Sequence, residues 1–178
     1  MKSEKPGINE VLIQDSRQGR WIRFSNPLRV LVARQIHEVL PVLSSVEAAV
    51  ESEGVSAAGY LGYESAAAFD ELHATRQAEN DLPLAWFGIY ERGEEIFLPR
   101  CEIDFPAEGW MPSISREAYS QAIQRVRDYI AAGDTYQVNF SFRLRKKINA
   151  PPWQLFLHLI SEQSAGYGAY IETDRWAV

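Results

Sequence analysis

The amino-acid sequence predicts an α+β fold in which helices pack on a mostly antiparallel sheet. Two segments repeat apolar residues at helical spacing, and a third alternates apolar and polar residues as a half-buried strand does. Short β-branched or aromatic runs bounded by turn residues predict further strands. The 178 residues are enough for one hydrophobic core or two small ones.

The N-terminal part begins with a predicted strand and a predicted helix. Residues 21–24, WIRF, indicate a short strand that ends at Asn26-Pro27, because proline has no backbone donor for a sheet. Pro41 suits the first turn of the following helix, and Gly54 supplies its C-terminal stop. The apolar stripe that we expect to face a sheet consists of Leu40, Leu43, Val46, Ala49 and Val50.

Three more strands are predicted between residues 55 and 98. Residues 55–63 are small and aromatic, and a glycine such as Gly59 within a strand indicates a close backbone approach. Residues 84–90 and 95–98 flank a turn at Gly93 and predict a β-hairpin.

The C-terminal part carries sharper signals. Ser115 is a good N-cap and Gly133 a good stop for a helix between them, whose apolar stripe consists of Tyr119, Ile123, Val126 and Ile130. Residues 136–144 then alternate strictly and predict a strand with one buried face, so that Tyr136 and Val138 are expected in the core. A helix beginning at Pro151-Pro152 and a strand over residues 166–171 follow.

The proline-rich residues 99–112 predict a division of the chain into residues 1–112 and residues 113–178. The last strand turns at Thr173-Asp174, and the sequence stops at Val178 in the first residues of the next strand of a hairpin. Because a half-hairpin leaves ladder groups unpaired, we expect the second part to be incomplete and the fold to be truncated.

The composition indicates a soluble globular protein, with 46% hydrophobic and 24% charged residues. A net charge of −6, without a basic stripe beyond residues 143–147, argues against nucleic-acid binding. No signal peptide is recognisable, and no apolar run approaches the ~18 residues of a membrane helix. The lone Cys101 cannot form an internal disulfide, so we expect a cytoplasmic protein. The three histidines, His37, His73 and His158, are scattered and are expected to be structural or solvated.

Residues 133–141, GDTYQVNFS, lie at the predicted helix-to-strand junction and resemble the GD-x-Y-Q-V-N-x-S segment of the chorismate-utilising enzymes. Residues 115–119, SREAY, resemble the start of that family's chorismate-binding domain. Residues 59–64, GYLGYE, resemble the G-x-x-x-Y-[DE] strand of its N-terminal part. The order of these segments makes the chain similar to the N-terminal portion of the anthranilate synthase-like fold of this family.

This resemblance implies chorismate as the substrate, Mg²⁺ as the cofactor and a glutamine amidotransferase subunit that supplies ammonia. It is greatest for the branch that aminates chorismate to 4-amino-4-deoxychorismate on the route to 4-aminobenzoate and folate. In that branch the magnesium-binding glutamates and a nucleophilic lysine come later than Val178, so we expect no metal ligand and no such lysine in this chain. By itself this portion is expected to be inactive.

Gln137 is the candidate catalytic position and, together with Asn139, the candidate substrate-binding pair. In relatives that add water to chorismate, a lysine acts as base at the position that resembles Gln137. A carboxamide has no titratable group in the working pH range and only orients its partners by hydrogen bonds. Water addition is therefore disfavoured, whereas amination is compatible. Without the resemblance, alternation alone makes Gln137 and Asn139 part of a solvated strand face.

Two alternatives stay open. One is the branch that makes anthranilate for tryptophan biosynthesis, although Tyr136 and Asn139 resemble Y-Q-V-N more than the F-Q-V-V usual there. The other is a non-catalytic module that regulates or docks a partner around a bound amino acid. The aromatic residues that could line such a site are Tyr60, Tyr63, Trp86 and Phe87. Aromatic residues of this kind more often form plain core.

Overall fold

The structure is a computed structural model that describes residues 5–70, 72, 73, 75, 81–100, 109–163 and 166–178. The helices are α1 (Ile36–Glu53), α2 (Arg116–Ala132) and α3 (Pro152–Glu162), with a 3-10 helix at Tyr63–Ala68. The strands are β1 (Glu10–Asp15), β2 (Arg20–Phe24), β3 (Arg29–Ala33), β4 (Ser56–Leu61), β5 (Ala85–Tyr90), β6 (Glu94–Ile96), β7 (Met111–Pro112), β8 (Leu144–Arg145) and β9 (Ala169–Glu172).

Two compact units divide the chain. The first unit combines residues 1–102 with residues 151–178, and the second unit consists of residues 103–150. This grouping differs from the predicted division at residue 112. The reason is that β9 pairs with β1 and α3 packs on the sheet that contains both strands, so the end of the chain completes the core of its beginning.

The first unit is a four-layer arrangement of antiparallel sheets and helices, which confirms the α+β prediction. One sheet has the strand order β6-β2-β1-β9, and the other has the order β3-β5-β4. Val11 and Ile171 of the first sheet pack with Trp86 and Tyr90 of the second. The outer face of the first sheet packs on α3, and the outer face of the second packs on α1. None of the described helices is long and apolar enough to cross a membrane.

Helix α1 begins earlier than predicted, at Ile36, so Pro41 lies inside the helix and not in its first turn. Glu38 makes this early start possible, because its carboxylate accepts hydrogen bonds from the backbone N–H groups of Arg34 and Gln35. The predicted stop at Gly54 is confirmed, since this residue has the left-handed φ of 66°. The predicted apolar stripe is confirmed in part, because Ala49 is buried and Leu43 packs on the core. Leu40 and Val50 are instead 47% and 41% exposed, and Val39 is buried.

The predicted hairpin over residues 84–98 is wrong. Both segments are strands, but β5 pairs with β3 and β4, whereas β6 pairs with β2 in the other sheet. Both sides of β5 are already occupied by partners, and this leaves no edge for β6. Strands β2, β4 and β9 are confirmed, while β1, β3 and the two-residue β7 were not predicted.

The alternating segment 136–144 does not form the predicted strand. Among the described residues, pairing is confined to Leu144 and Arg145 of β8, which lie beside β7. A strand requires a neighbouring strand for its backbone groups, and alternation of side chains cannot supply one. At the end of the chain, the predicted hairpin turn is present, because Glu172 bridges Ala177 and Ile171 bonds to Val178.

Candidate functional site

The candidate site lies in the second unit, where α2 ends and the family-like segment begins. The Ser115 side chain caps the start of α2 by accepting a hydrogen bond from the Ala118 N–H at 3.1 Å. Gly133, with φ 82°, ends the helix, and its N–H donates to the Ile130 carbonyl. The N-cap and the stop predicted for α2 are thus confirmed, and the helix end directs the chain into residues 134–143.

Gln137 and Asn139 are both exposed. The Thr135 hydroxyl donates to the backbone carbonyl of Gln137 at 3.0 Å, a local contact that the sequence analysis missed. A threonine two residues before the candidate position is the signal that could have revealed it. Neither side-chain amide has a hydrogen-bond partner in the part of the chain that the structure describes, and both are open to solvent.

Two aromatic residues of this segment, Phe140 and Phe142, contact Tyr119 of α2. The Tyr119 ring lies 5.9 Å from the Phe140 ring and 5.8 Å from the Phe142 ring, measured between centroids. These contacts hold the segment beside the helix. The prediction that Tyr136 and Val138 lie in the core is wrong, since they are 91% and 42% exposed, and packing of the segment on α2 is given by Phe140 and Phe142 instead.

Basic residues follow the candidate pair. Arg143 is held by two hydrogen bonds, from the Ser113 N–H to its carbonyl at 2.8 Å and from its own N–H to the Ser113 hydroxyl at 3.0 Å. Further along, the Lys146 ammonium lies 5.7 Å from the centroid of the Trp110 ring, in cation–π geometry. The segment that carries Gln137 therefore ends in a region of positive charge.

The aromatic residues proposed for an amino-acid site do not form one cluster. Tyr60 and Trp86 contact the ring of Trp176 at centroid distances of 5.6 and 5.9 Å, inside the core between the two sheets. Phe87 instead joins the cluster under α1, and Tyr63 is 87% exposed. These contacts favour the plain-core interpretation. Trp176 was missed because its role depends entirely on a distant contact.

Three tyrosines of the first unit are kept neutral by burial. Desolvation raises the pKa of Tyr60 to about 12, and its hydroxyl donates to the Pro83 carbonyl at 2.9 Å. Burial also raises the pKa of Tyr90 and of Tyr170, and in Tyr170 the hydrogen bond to Glu172 adds to the effect. None of these phenols is therefore suited to act as a base near neutral pH.

Metal-ligating residues are not clustered in the described ranges, where no group of three or more His, Cys, Asp or Glu residues could hold an ion. His37 borders a surface pocket of about 320 Å³ beside α1, together with apolar side chains and Asp70. Cys101 lies outside the described residues.

Comparison with known proteins gives one family match and several relatives. Residues 99–178 match the family model described as chorismate binding enzyme. Aminodeoxychorismate synthase component 1 of Klebsiella aerogenes is 27% identical over 147 residues, which are 68% of this chain and 33% of the relative. The protein of the same name from Escherichia coli is 22% identical, with 95% of this chain and 42% of the relative covered.

An anthranilate synthase component 1, from Thermus thermophilus, is 41% identical over 58 residues, or 33% of this chain and 13% of the relative. In each of these comparisons the chain spans less than half the length of its relative. The resemblance predicted from the sequence is confirmed: this chain is similar to the chorismate-utilising enzymes, and residues 99–178 match their chorismate-binding family.

Proposed function

We propose that this chain is the N-terminal portion of an aminodeoxychorismate synthase component 1, an enzyme that replaces the 4-hydroxyl group of chorismate with an amino group. One observation carries the proposal. The two relatives that cover 68% and 95% of this chain both bear that name. The product would serve the formation of 4-aminobenzoate and folate, and the reaction would take place in the cytoplasm.

The residues at the candidate site support amination more than water addition. Gln137 offers an exposed carboxamide, which donates and accepts hydrogen bonds but does not remove a proton from water. Ammonia is already a nucleophile and needs no such base. In this proposal Gln137 and Asn139 orient chorismate by hydrogen bonds. A glutamine amidotransferase subunit would be the source of ammonia.

Magnesium is proposed for the whole enzyme on the family resemblance alone. When bound, it would act as a Lewis acid toward the substrate. The described residues do not fit a metal centre, because their acidic, histidine and cysteine side chains do not gather in threes. We propose that this chain alone is inactive.

The central experiment uses the protein encoded by the complete reading frame, supplied with chorismate, Mg²⁺ and ammonium, and identifies the products by chromatography. We expect 4-amino-4-deoxychorismate from the natural sequence and a gain of water-addition product from Gln137→Lys. Gln121→Lys, the same change at an exposed position of α2, is the control and should leave the products unchanged. An unaltered product distribution in Gln137→Lys would remove Gln137 from the proposed role.

Titration calorimetry of the 178-residue chain with chorismate and Mg²⁺ tests whether the substrate and metal site is incomplete in this chain, which is why we propose that it is inactive. We expect no measurable heat of binding, because the chain lacks a metal centre among its described residues. Tight binding would overturn the proposal that the site is incomplete.

A second candidate is anthranilate synthase component 1, favoured by the local 41% identity to the Thermus thermophilus protein. The same product analysis separates the two, since anthranilate is fluorescent and forms with release of pyruvate. Anthranilate as the main product would replace the first proposal with this one.

A further inference from the structure

Strand β4 lies at the edge of its sheet. It pairs with β5 on one side, and in the described part of the chain no strand pairs with its other side. An edge strand presents unpaired N–H and C=O groups that are a template for another strand. Strand β4 therefore offers a row of unpaired backbone groups along residues 56–61.

The hydrogen-bond pattern between β4 and β5 shows which backbone groups of β4 point away from β5. The Gly62 N–H donates to the Leu84 carbonyl at 2.7 Å, in the same register that pairs Ser56 with Tyr90. Successive residues of an antiparallel strand direct their backbone N–H and C=O groups to opposite sides of the strand. The even-numbered residues of β4 therefore bond to β5. The odd-numbered residues Ala57, Gly59 and Leu61 then direct their backbone groups to the free edge.

At the edge strand β9, Glu172 bridges Ala177 and Ile171 bonds to Val178, so part of its outer side is occupied. The edge strands β6 and β3 carry charges that oppose strand addition. Strand β6 is three residues long and exposes Glu94 and Glu95. Strand β3 begins with Arg29, which is ion-paired with Glu53 at 2.5 Å, and Arg34 follows its end. Strand β4 has six residues and contains no charged residue and no proline. It therefore lacks the protective residues that edge strands usually have.

We propose that β4 is a self-association edge, at which two copies of this chain pair their β4 strands antiparallel and join their three-stranded sheets into one. A two-fold axis through Gly59 places Gly59 opposite its copy and Leu61 opposite Ala57 of the other copy. This register forms about six backbone hydrogen bonds, two at each of the bonded pairs.

A second copy suits this edge for three reasons. The uncharged sequence of β4 brings no like charges together when it meets itself. Gly59 on the axis has no side chain to collide with its counterpart. Leu61, which is 43% exposed, would be covered by the small Ala57 of the other copy. An isologous contact of this kind closes at two copies and does not extend into a fibre.

The test combines sedimentation of the 178-residue chain, from micromolar to millimolar concentration, with amide exchange measured by NMR. We expect a dimer at high concentration. The amides of Ala57, Gly59 and Leu61 should become protected as the dimer forms, whereas those of Ala58 and Tyr60, already bonded to β5, should be protected throughout. A chain that stays monomeric at millimolar concentration would refute the proposal. So would a dimer that leaves the three amides exchanging freely, or protection of those amides in the monomer.

A matched pair of variants tests the position of the contact. Leu61→Lys adds an edge charge and should weaken self-association by about tenfold or more. Leu72→Lys makes the same change at a leucine that is 89% exposed and lies outside β4, and it should have no effect. Equal effects of the two variants would place the contact elsewhere on the molecule.

Discussion

At the scale of single residues, Gly59 decides how closely β4 and β5 approach. An ideal Cβ on this residue would lie 2.0 Å from the Trp86 carbonyl oxygen and 2.7 Å from the Phe87 Cα. Both of these are backbone atoms, so rotation of a side chain cannot relieve the overlap. The close backbone approach predicted for Gly59 is thereby confirmed.

Gly59→Ala should lower the free energy of unfolding by about 1–3 kcal/mol, because the two strands must separate to admit the methyl group. Urea denaturation followed by tryptophan fluorescence measures this loss. Gly166→Ala is the control, since a Cβ there meets nothing within 4 Å, and its stability should stay the same or rise slightly. Equal stability of Gly59→Ala and the natural chain would contradict the close approach.

The side chain of Gln14 contains a buried polar atom. Its Oε1 atom has no hydrogen-bond partner in the described residues. Gln14→Met keeps the length of the side chain and removes the unsatisfied oxygen, so the free energy of unfolding should rise by about 1 kcal/mol. Gln18→Met, at an exposed position, should leave stability unchanged. A destabilised Gln14→Met chain would show that this oxygen has a partner after all.

At the scale of elements, the start of α1 depends on one carboxylate. Hydrogen bonds from the backbone N–H groups of Arg34 and Gln35 lower the pKa of Glu38 below its ordinary value of 4.5. A lowered pKa in the folded chain means that the ionised form stabilises the fold at pH values above the unfolded pKa. This stabilisation is lost as the pH falls through the folded pKa.

Glu38→Gln should therefore weaken the first turn of α1 at neutral pH and reduce the loss of stability on acidification. Amide exchange at Arg34 and Gln35, measured between pH 7 and pH 3, reports this directly. Glu51→Gln changes an exposed glutamate of the same helix and should not affect those two amides. If acid leaves their exchange in the natural chain unaltered apart from its intrinsic pH dependence, the Glu38 cap is not the cause of the early start.

At the scale of the whole molecule, the first unit is discontinuous in sequence. Strand β9 pairs with β1 in register from Glu10 with Glu172 to Ile13 with Ala169. Trp153 and Leu157 of α3 fill the cluster on the outer face of the same sheet, and Trp176 enters the core between the sheets. Residues 151–178 are thus structural parts of the unit that residues 1–102 begin.

A protease site inserted after Gly109 tests this arrangement. After cleavage, the two pieces should elute together in size-exclusion chromatography, because β9 and α3 remain packed on the sheet. They should separate only in denaturant. A Trp176→Ala chain with the same site should separate at a lower denaturant concentration, because a large contact of the core is lost. Separation of the natural pieces in plain buffer would contradict the discontinuous unit.

The sequence predicted elements whose signals are local. The bounds of α2 follow from Ser115 and Gly133, and the end of α1 follows from Gly54. The alternation of residues 136–144 predicted a strand, but among the described residues only Leu144 and Arg145 pair. Side-chain periodicity is compatible with a strand but does not supply the neighbouring strand that its backbone must bond to. Local signals likewise predict a hairpin between β5 and β6. In the structure β3 and β4 pair with the two sides of β5 instead.

By itself the sequence determined the α+β class, the helix caps and the relation to chorismate-utilising enzymes, because each depends on short segments read in order. Only the tertiary structure decided which strands pair, that Tyr60 and Trp86 are core around Trp176, and that Gln137 and Asn139 are exposed. These outcomes depend on contacts between residues far apart in the chain. Such contacts are set by competition among partners for the same strand edges and the same buried volume, which no local pattern records.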